Sequence, residues 1–229
     1  METILCIKDE FIKPHLQQSG LILTSNVHNI TKQNPLFPEK ELWFGPRSSL
    51  ENDPTYRQII PYVILHYHDE VVLYRRTTTG KEERLHNKYS IGIGGHANIS
   101  DAVVTSGTLD VGSTISKATA REIAEEVNCK VAAHCKRWTL GIIYSDSTPV
   151  NRVHVGIAIL HHLEHDIVTT AEPDVSSCQL IDLSTLRKHY SDMETWSQLC
   201  FDTLLQNSNI LYDNTKIYEQ TQQQLSFIW

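Results

Sequence analysis

Cysteine is sparse and shows no pairing pattern. The five residues, Cys6, Cys129, Cys135, Cys178 and Cys200, are odd in number and scattered, with no Cys-x-x-Cys spacing. This argues against a disulfide framework or a structural zinc site, and for reduced thiols in a cytoplasmic compartment. Long apolar runs are missing too, so no stretch has the length of a bilayer-spanning helix. The first residues, METILCIKDEF, carry acids and only a short apolar run, unlike a secretory leader. There is no long basic run, and a formal net charge of −7 disfavours an extended nucleic-acid surface. A single nucleotide or a short RNA end stays compatible with that charge. No internal repeat is visible. What is present is an ordinary globular composition, 40% hydrophobic and 21% charged over 229 residues. That length allows one sizeable core and at most two domains.

One stretch, 112–129, carries a helical pattern with acids along its flank. Ala120, Ile123, Ala124 and Val127 fall at i, i+3, i+4 and i+7, which makes one apolar face. Ser113 or Thr114 can cap the start through its hydroxyl. Asn128 follows the last apolar position and tolerates the left-handed conformation that ends helices. The spacing predicts a helix over 114–127. Glu122, Glu125 and Glu126 then lie within about one turn of each other. Carboxylates so close repel, and a divalent cation among them explains the arrangement best, since Mg²⁺ is a hard ion that selects such oxygens.

The rest of the chain reads mostly as strands. Residues 2–7 form a short strand, and 20–25 are a strand or a helix end. Residues 26–54 are polar and punctuated by Pro35, Pro38, Pro46 and Pro54, with Trp43 and Phe44 as anchors. Residues 1–57 have few apolar side chains for a core of their own, so they read as an extension packed on a main domain of 58–229. A β-hairpin is expected from 59–67 and 71–75, turning at 68–70. Residues 77–88 are a polar loop, 89–96 a strand ending in a glycine turn, and 97–111 a loop without helical period. Further strands fall at 131–144, 150–163, 166–170 and 178–182, with a turn at 146–149. Ser184 can cap a helix over 185–190. An amphipathic helix over 194–206 runs through Trp196, Leu199, Cys200, Thr203 and Leu204. The sum is α/β, a mixed sheet with helices packed against it.

Gly94-Gly95 at a strand end, Gly112-Ser113, and Arg121-Glu122-Ile123-Ala124-Glu125-Glu126-Val127-Asn128-Cys129 resemble the Nudix box. In that box a glycine, five residues, a glutamate and seven residues precede Arg-Glu-apolar-any-Glu-Glu-any-Gly-apolar. More narrowly, residues 90–96, with Asp53-Pro54 and Ile60-Pro61-Tyr62 upstream and Glu194-Thr195-Trp196-Ser197 downstream, resemble a bacterial subgroup of phosphoesterases in that family. The resemblance implies the Nudix α/β/α sandwich over roughly 58–207, with the N-terminal extension outside it. Three departures stand out. Ser113 occupies the position of the expected glutamate, and Asn128 that of the expected glycine. The spacing also reads two ways. Gly107 preserves the formal count, whereas Gly94-Gly95 better suits the strand end and lengthens the loop up to Gly112.

The resemblance implies Mg²⁺- or Mn²⁺-dependent hydrolysis of a diphosphate bond in a small molecule, a nucleoside diphosphate linked to another moiety. It implies Glu122 as metal ligand or general base and Glu126 as metal ligand. Glu125 would bind metal or hold the helix, and the Gly94 carbonyl would be a further ligand. Arg121 would orient Glu122 through a charge-assisted hydrogen bond. A later-loop carboxylate is expected at Glu172, with Asp174 and Glu164 behind it. Arg75, Arg76 and His96 are candidates for substrate contact, and Tyr89 and Trp138 for stacking on a base. For any one glutamate alone, a solvated acidic helix face is the commoner explanation; the assembled motif favours the functional one. His161 and His162 point to opposite faces of a strand, which reads as a polar strand end, not a metal cluster. The loss of an anion at Ser113 keeps a second reading open, a catalytically weak nucleotide-binding or sensor protein. A diphosphate isomerase would need a cysteine paired with a glutamate, and no cysteine here has that context. Homodimers are common among such proteins.

Overall fold

Tyr56–Tyr67 is a twelve-residue strand, half-buried at its two ends and buried everywhere between. A strand covered on both faces needs a continuous apolar run in place of an alternation, and residues 59–65 supply it. It belongs to the main sheet of a mixed α/β fold, which holds ten strands among the described residues. The computed structural model describes residues 2–16, 19–23, 37–78, 85–129, 137–166, 168–170 and 175–211. The chain forms two compact units. One comprises Met1–Tyr62, Gly94–Arg121 and Thr139–Ala158; the other comprises Val63–Ile93, Glu122–Trp138 and Ile159–Trp229.

In the first unit, Thr3–Lys8 pairs antiparallel with Leu42–Pro46 and with the start of Tyr56–Tyr67, in registers Leu5↔Phe44 and Ile7↔Arg57. Ile4, Leu5, Cys6 and Ile7 are fully buried. Gly20–Leu23 is a strand on Arg137–Tyr144, which settles the open reading for 20–23; residues 24 and 25 lie outside the described residues. Gly141 is needed there, because a Cβ would lie against the Ile22 carbonyl oxygen. Residues 97–111 are not one plain loop. They hold a single turn of 3-10 helix, Ile99–Asp101, and a two-residue ribbon, Val104–Thr105 on Thr108–Leu109. Ser106 and Gly107 turn the ribbon with φ of 54° and 80°, the left-handed pair that tight hairpins prefer. Elements this short have no period to read.

The same unit buries an arginine. The Arg57 guanidinium donates from Nε to Asp9 at 2.7 Å and from Nη2 to Asp146 at 2.6 Å and the Tyr144 hydroxyl at 3.0 Å. Its Nη1 donates to the Asn151 carbonyl at 2.7 Å and more weakly to that of Ser145 at 3.3 Å. Tyr144 in turn donates to Asp9 at 2.9 Å and presents its ring 4.4 Å from the Arg57 carbon. All five donors are met, so the charge is tolerated at 2% exposure.

In the second unit, Glu70–Arg76 pairs with the end of Tyr56–Tyr67, with Val175–Asp182 and with Tyr89–Ser90. The hairpin turns at His68, whose φ is 50°. Val127–Cys129 pairs with Val168–Thr170, Asn128 opposite Thr169. Asn128 therefore lies within a strand and does not close the helix in a left-handed conformation. Asp182, not Ser184, caps the helix Leu183–Leu186. Its carboxylate accepts from the Thr185 N–H at 2.9 Å and also takes the Ser184 and Thr185 hydroxyls. These three donors hold the acid well below the usual carboxylate range. Thr195–Gln206 buries Trp196, Cys200, Phe201 and Leu204, as its periodicity requires.

Replacing Arg57 by alanine strips Asp9 of its cation inside the first unit. We expect a loss of about 3 kcal/mol or more in urea-unfolding stability. An unchanged unfolding midpoint would show that the network contributes nothing net.

Candidate functional site

The helix predicted over 114–127 runs from Val111 to Glu126. Its cap is Asp110, not Ser113 or Thr114. The Asp110 carboxylate accepts from the Ser113 N–H and the Ser113 hydroxyl, both at 2.9 Å. Thr114 donates its hydroxyl to the Asp110 carbonyl at 2.7 Å and accepts from the Val103 N–H at 3.0 Å. Further along, Lys117 Nζ donates to the Ser100 carbonyl at 2.6 Å. Positions 114, 117 and 121 lie three and four apart and share one side of the helix. The segment 96–103 is laid along that side and is fastened at each of them.

Arg121 makes the strongest of these fastenings. Its Nη2 donates to Asp101 at 2.9 Å and to the His96 carbonyl at 2.8 Å, and its Nε reaches the two Asp101 oxygens at 3.2 and 3.3 Å. Asp101 is buried, and its carboxylate also accepts from the Asn98 N–H at 2.9 Å. Burial alone would raise the Asp101 acid. The Arg121 hydrogen bonds, the Asn98 N–H and the charges of Arg121 and Lys117 outweigh it and hold the acid below its ordinary value. The sequence offers only Glu122 as a partner for Arg121; Asp101 is an addition from structure. An asparagine followed three residues later by an acid, as in Asn98–Asp101, was the available signal.

His96 follows the glycine pair. Its Nε2 stands 2.7 Å from the Gln58 amide oxygen, so it carries the proton and donates. Burial, reinforced by His154, Arg47 and Arg121, holds its pKa well below the usual histidine range and keeps the ring neutral. Gly94 ends the strand Ile93–Gly94. A Cβ there would come within 3.0 Å of the Pro61 carbonyl oxygen and 3.3 Å of Ile60, so a side chain would push this strand end outward.

On the last turn of the helix, Glu122 is buried, Glu126 is half-buried and Glu125 is exposed. Glu122 and Glu126, at i and i+4, form one stripe; Glu125 looks to solvent. Among the described residues, no three His, Cys, Asp or Glu side chains converge as a ready-made metal cage. Two hard carboxylates on one stripe still suit Mg²⁺, which commonly takes one or two protein carboxylates and completes its shell with water and substrate phosphate.

The structure separates the two candidate arginines. Arg75 is exposed, donates to the Asn87 carbonyl at 3.2 Å and lies 5.8 Å from the Tyr89 ring centre. Arg76, on the other face of the strand, lies 5.6 Å from the ring centre of buried Tyr74. Burial pushes the Tyr74 phenol up; the Arg76 cation works against this, and the Glu126 and Glu194 carboxylates add to it. Arg76 and Glu126 therefore both act on Tyr74. Glu194 was not a candidate from sequence. It is buried, accepts from Ser90 Oγ at 2.5 Å, and donates its N–H to the Tyr89 carbonyl at 2.9 Å. Ser197 completes the knot by accepting from the Ile91 N–H at 3.0 Å.

Glu172 and Asp174 lie outside the described residues, as does the side chain of Trp138; Glu164 is exposed. Tyr89 packs on His189, with ring centres 4.7 Å apart. His161 and His162 end the strand His154–His162, the first buried and the second half-buried. The His162 ring stands edge-on to buried His66 at 5.0 Å.

No family model matches the chain. Tm1382, a candidate Nudix hydrolase of known crystal structure, is 30% identical, with a TM-score of 0.73, over 90% of this chain and 99% of its own. The protein YmaB of Bacillus subtilis (strain 168) is 35% identical over 161 residues, 69% of this chain and 76% of YmaB.

A histidine that folds neutral with a depressed pKa binds fewer protons than it does unfolded, where it titrates near about 6.5. Stability is then complete above that value and falls as pH drops towards the folded pKa. His96 acts this way, and His66, pushed down to about 4 mainly by burial, acts in the same direction. Urea midpoints should fall between about pH 6.5 and about pH 4, and His96→Gln should make that fall shallower. Identical pH profiles for the two proteins would show that His96 is not held neutral.

Proposed function

Because the chain belongs to the Nudix hydrolase family, we propose that it hydrolyses a diphosphate bond in a small molecule, a nucleoside diphosphate linked to another moiety. The observation that carries this reading is the intact Arg-Glu-x-x-Glu-Glu run on one helix, with Glu122 and Glu126 on a single stripe. These two carboxylates would hold Mg²⁺ or Mn²⁺. The ion, when bound, neutralises phosphate oxygens and makes the attacking water more acidic. Glu122, buried and next to the anchored Arg121, is the better placed of the acids to accept a proton from that water, while exposed Glu125 serves the outer side of the site. Arg76 would meet the substrate phosphates, and its placement beside Tyr74 supports it over Arg75 for that task. Glu172 stays a candidate for a later carboxylate. The reading places the protein in the cytoplasm, and a homodimer suits it. No helix among the described residues is long and apolar enough to cross a membrane.

One observation favours a second reading. The hydroxyl at Ser113, where the box has a carboxylate, is taken up by Asp110 within the first turn. A catalytically weak nucleotide-binding protein would show a raised melting temperature with nucleotide and no turnover.

The test is a panel of diphosphate substrates with Mg²⁺ and with Mn²⁺, comparing wild type with Glu126→Gln. Losing a carboxylate ligand should cost on the order of 100-fold in kcat. Equal rates would remove Glu126 from the site, and no turnover on any substrate would leave the binding reading.

A further inference from the structure

We propose that Arg75, Tyr89 and His189 form a stacking platform for a short single-stranded segment of nucleic acid, on the opposite face of the strand Glu70–Arg76 from Tyr74 and Arg76. The platform stands apart from the hydrolase reading, which leaves these three side chains unused. Arg75 and Tyr89 are register partners on neighbouring strands. The Arg75 guanidinium lies 5.8 Å from the Tyr89 ring centre, within cation–π range. The His189 ring packs on the same phenol, with centres 4.7 Å apart and planes inclined at 57°. An exposed cation joined to two half-buried rings offers positive charge and π surface together, which suits a strand of stacked bases and phosphates. The platform is also held from behind. Asn87 donates its N–H to the Arg76 carbonyl at 3.0 Å and accepts from Arg75 Nε at 3.2 Å. The Tyr89 carbonyl accepts the Glu194 N–H at 2.9 Å. The turn Arg187–Asp192, which carries His189, is fixed where Gln198 donates to the Tyr190 carbonyl and the Tyr190 hydroxyl donates to Asp202, both at 2.8 Å. The rings are therefore ordered before anything binds, which lowers the cost of binding.

Charge and shape choose the occupant. The chain carries a formal net charge of −7, yet exposed Arg75, Arg187 and Lys188 and half-buried Lys88 lie on the segments that build the platform, with Asp192 as the acid of the same turn. An acidic peptide would meet the cations but bring no base for the rings. A mononucleotide would bring one base and one phosphate to an open surface. A strand of about three or four nucleotides reaches the stack and the cations on both segments. It also stays short enough for an acidic protein, whose remaining surface repels a longer one.

The test is fluorescence anisotropy of a labelled oligouridine RNA, in EDTA so that no metal-dependent cleavage occurs, at low and at high salt. Wild type should bind at low salt and weaken about tenfold at high salt. Arg75→Gln should weaken binding about 5- to 10-fold and flatten the salt dependence by about one phosphate contact. His189→Ala and Tyr89→Leu should weaken it about 5- to 30-fold with the salt slope unchanged, whereas Tyr89→Phe keeps the ring and should bind as wild type. Lys40→Gln removes an exposed cation of the first unit and should also bind as wild type. Should Tyr89→Leu fail to fold, Arg75→Gln and His189→Ala decide the matter. The proposal is overturned if wild type leaves the anisotropy unchanged at low salt, or if Lys40→Gln loses as much as Arg75→Gln, which would mean diffuse attraction. It is equally overturned if the variants that remove a ring bind like wild type. Displacement of the RNA by uridine monophosphate at equal concentration would assign the surface to a single nucleotide, and displacement by a polyglutamate peptide would assign it to an acidic protein; either result overturns the strand as occupant.

Discussion

A guanidinium drawn partly out of water must be met by oxygens in its own plane, or the cost of stripping its hydration is not recovered. Arg121 meets that demand with Asp101 and the His96 carbonyl. The demand determines where the chain runs between the strand end and the helix. Residues 96–103 have to lie along the helix for Asp101 to reach the fork, and Lys117 and Thr114 hold them there. The Gly94 end is confined from the other side by the Pro61 carbonyl, whose oxygen would stand only 3.0 Å from a Cβ there. A segment with no regular period becomes an ordered part of the structure because one cation must be satisfied.

The same physics recurs at Arg57, at greater depth. There the oxygens come from Asp9, Tyr144, Asp146 and two carbonyls, so one buried side chain holds the N-terminal strand region to the 144–151 turn. This contact and the pairing of Thr3–Lys8 with Leu42–Pro46 and with the start of Tyr56–Tyr67 tie those strands into the first unit. Cations so placed have a further consequence. His96 lies near Arg47 and Arg121 and is kept neutral, so that it serves as a hydrogen-bond donor to Gln58 and adds no charge.

The acids are graded by their surroundings. Glu122, Glu125 and Glu126 share a turn but differ in exposure, from buried through half-buried to open. Glu126 belongs to an environment that also includes Arg76, Tyr74 and Glu194, where a cation and two carboxylates act on one phenol. Two carboxylates on a stripe, completed by water and phosphate, fit a magnesium ion better than a closed protein cage does. Glu194 in turn secures residues 89–91 from the start of the helix Thr195–Gln206. It connects the strand end to the core through hydroxyls instead of apolar contacts.

The α/β class, a helix over 114–127, a strand over 59–67 and three carboxylates within one helical turn were legible in the sequence. Each rests on a period or a local motif, and the physics that produces them acts over a few residues. The helix ends were not. Ser113, Thr114 and Ser184 are all reasonable caps, and Asp110 and Asp182 took the role because a carboxylate acceptor two to four residues earlier forms the stronger bond. Asn128 could close a helix, but pairing with Thr169 offered its backbone a strand partner that no local pattern reveals. The partners of Arg121 and Arg57 lay beyond the sequence for the same reason. Asp101 is 20 residues from Arg121, and Asp9 is 48 residues from Arg57. Residue types and their places on a helix or a strand follow from local pattern alone. Which carboxylate meets which cation depends on burial, and burial is a property of the folded chain, not of any local stretch.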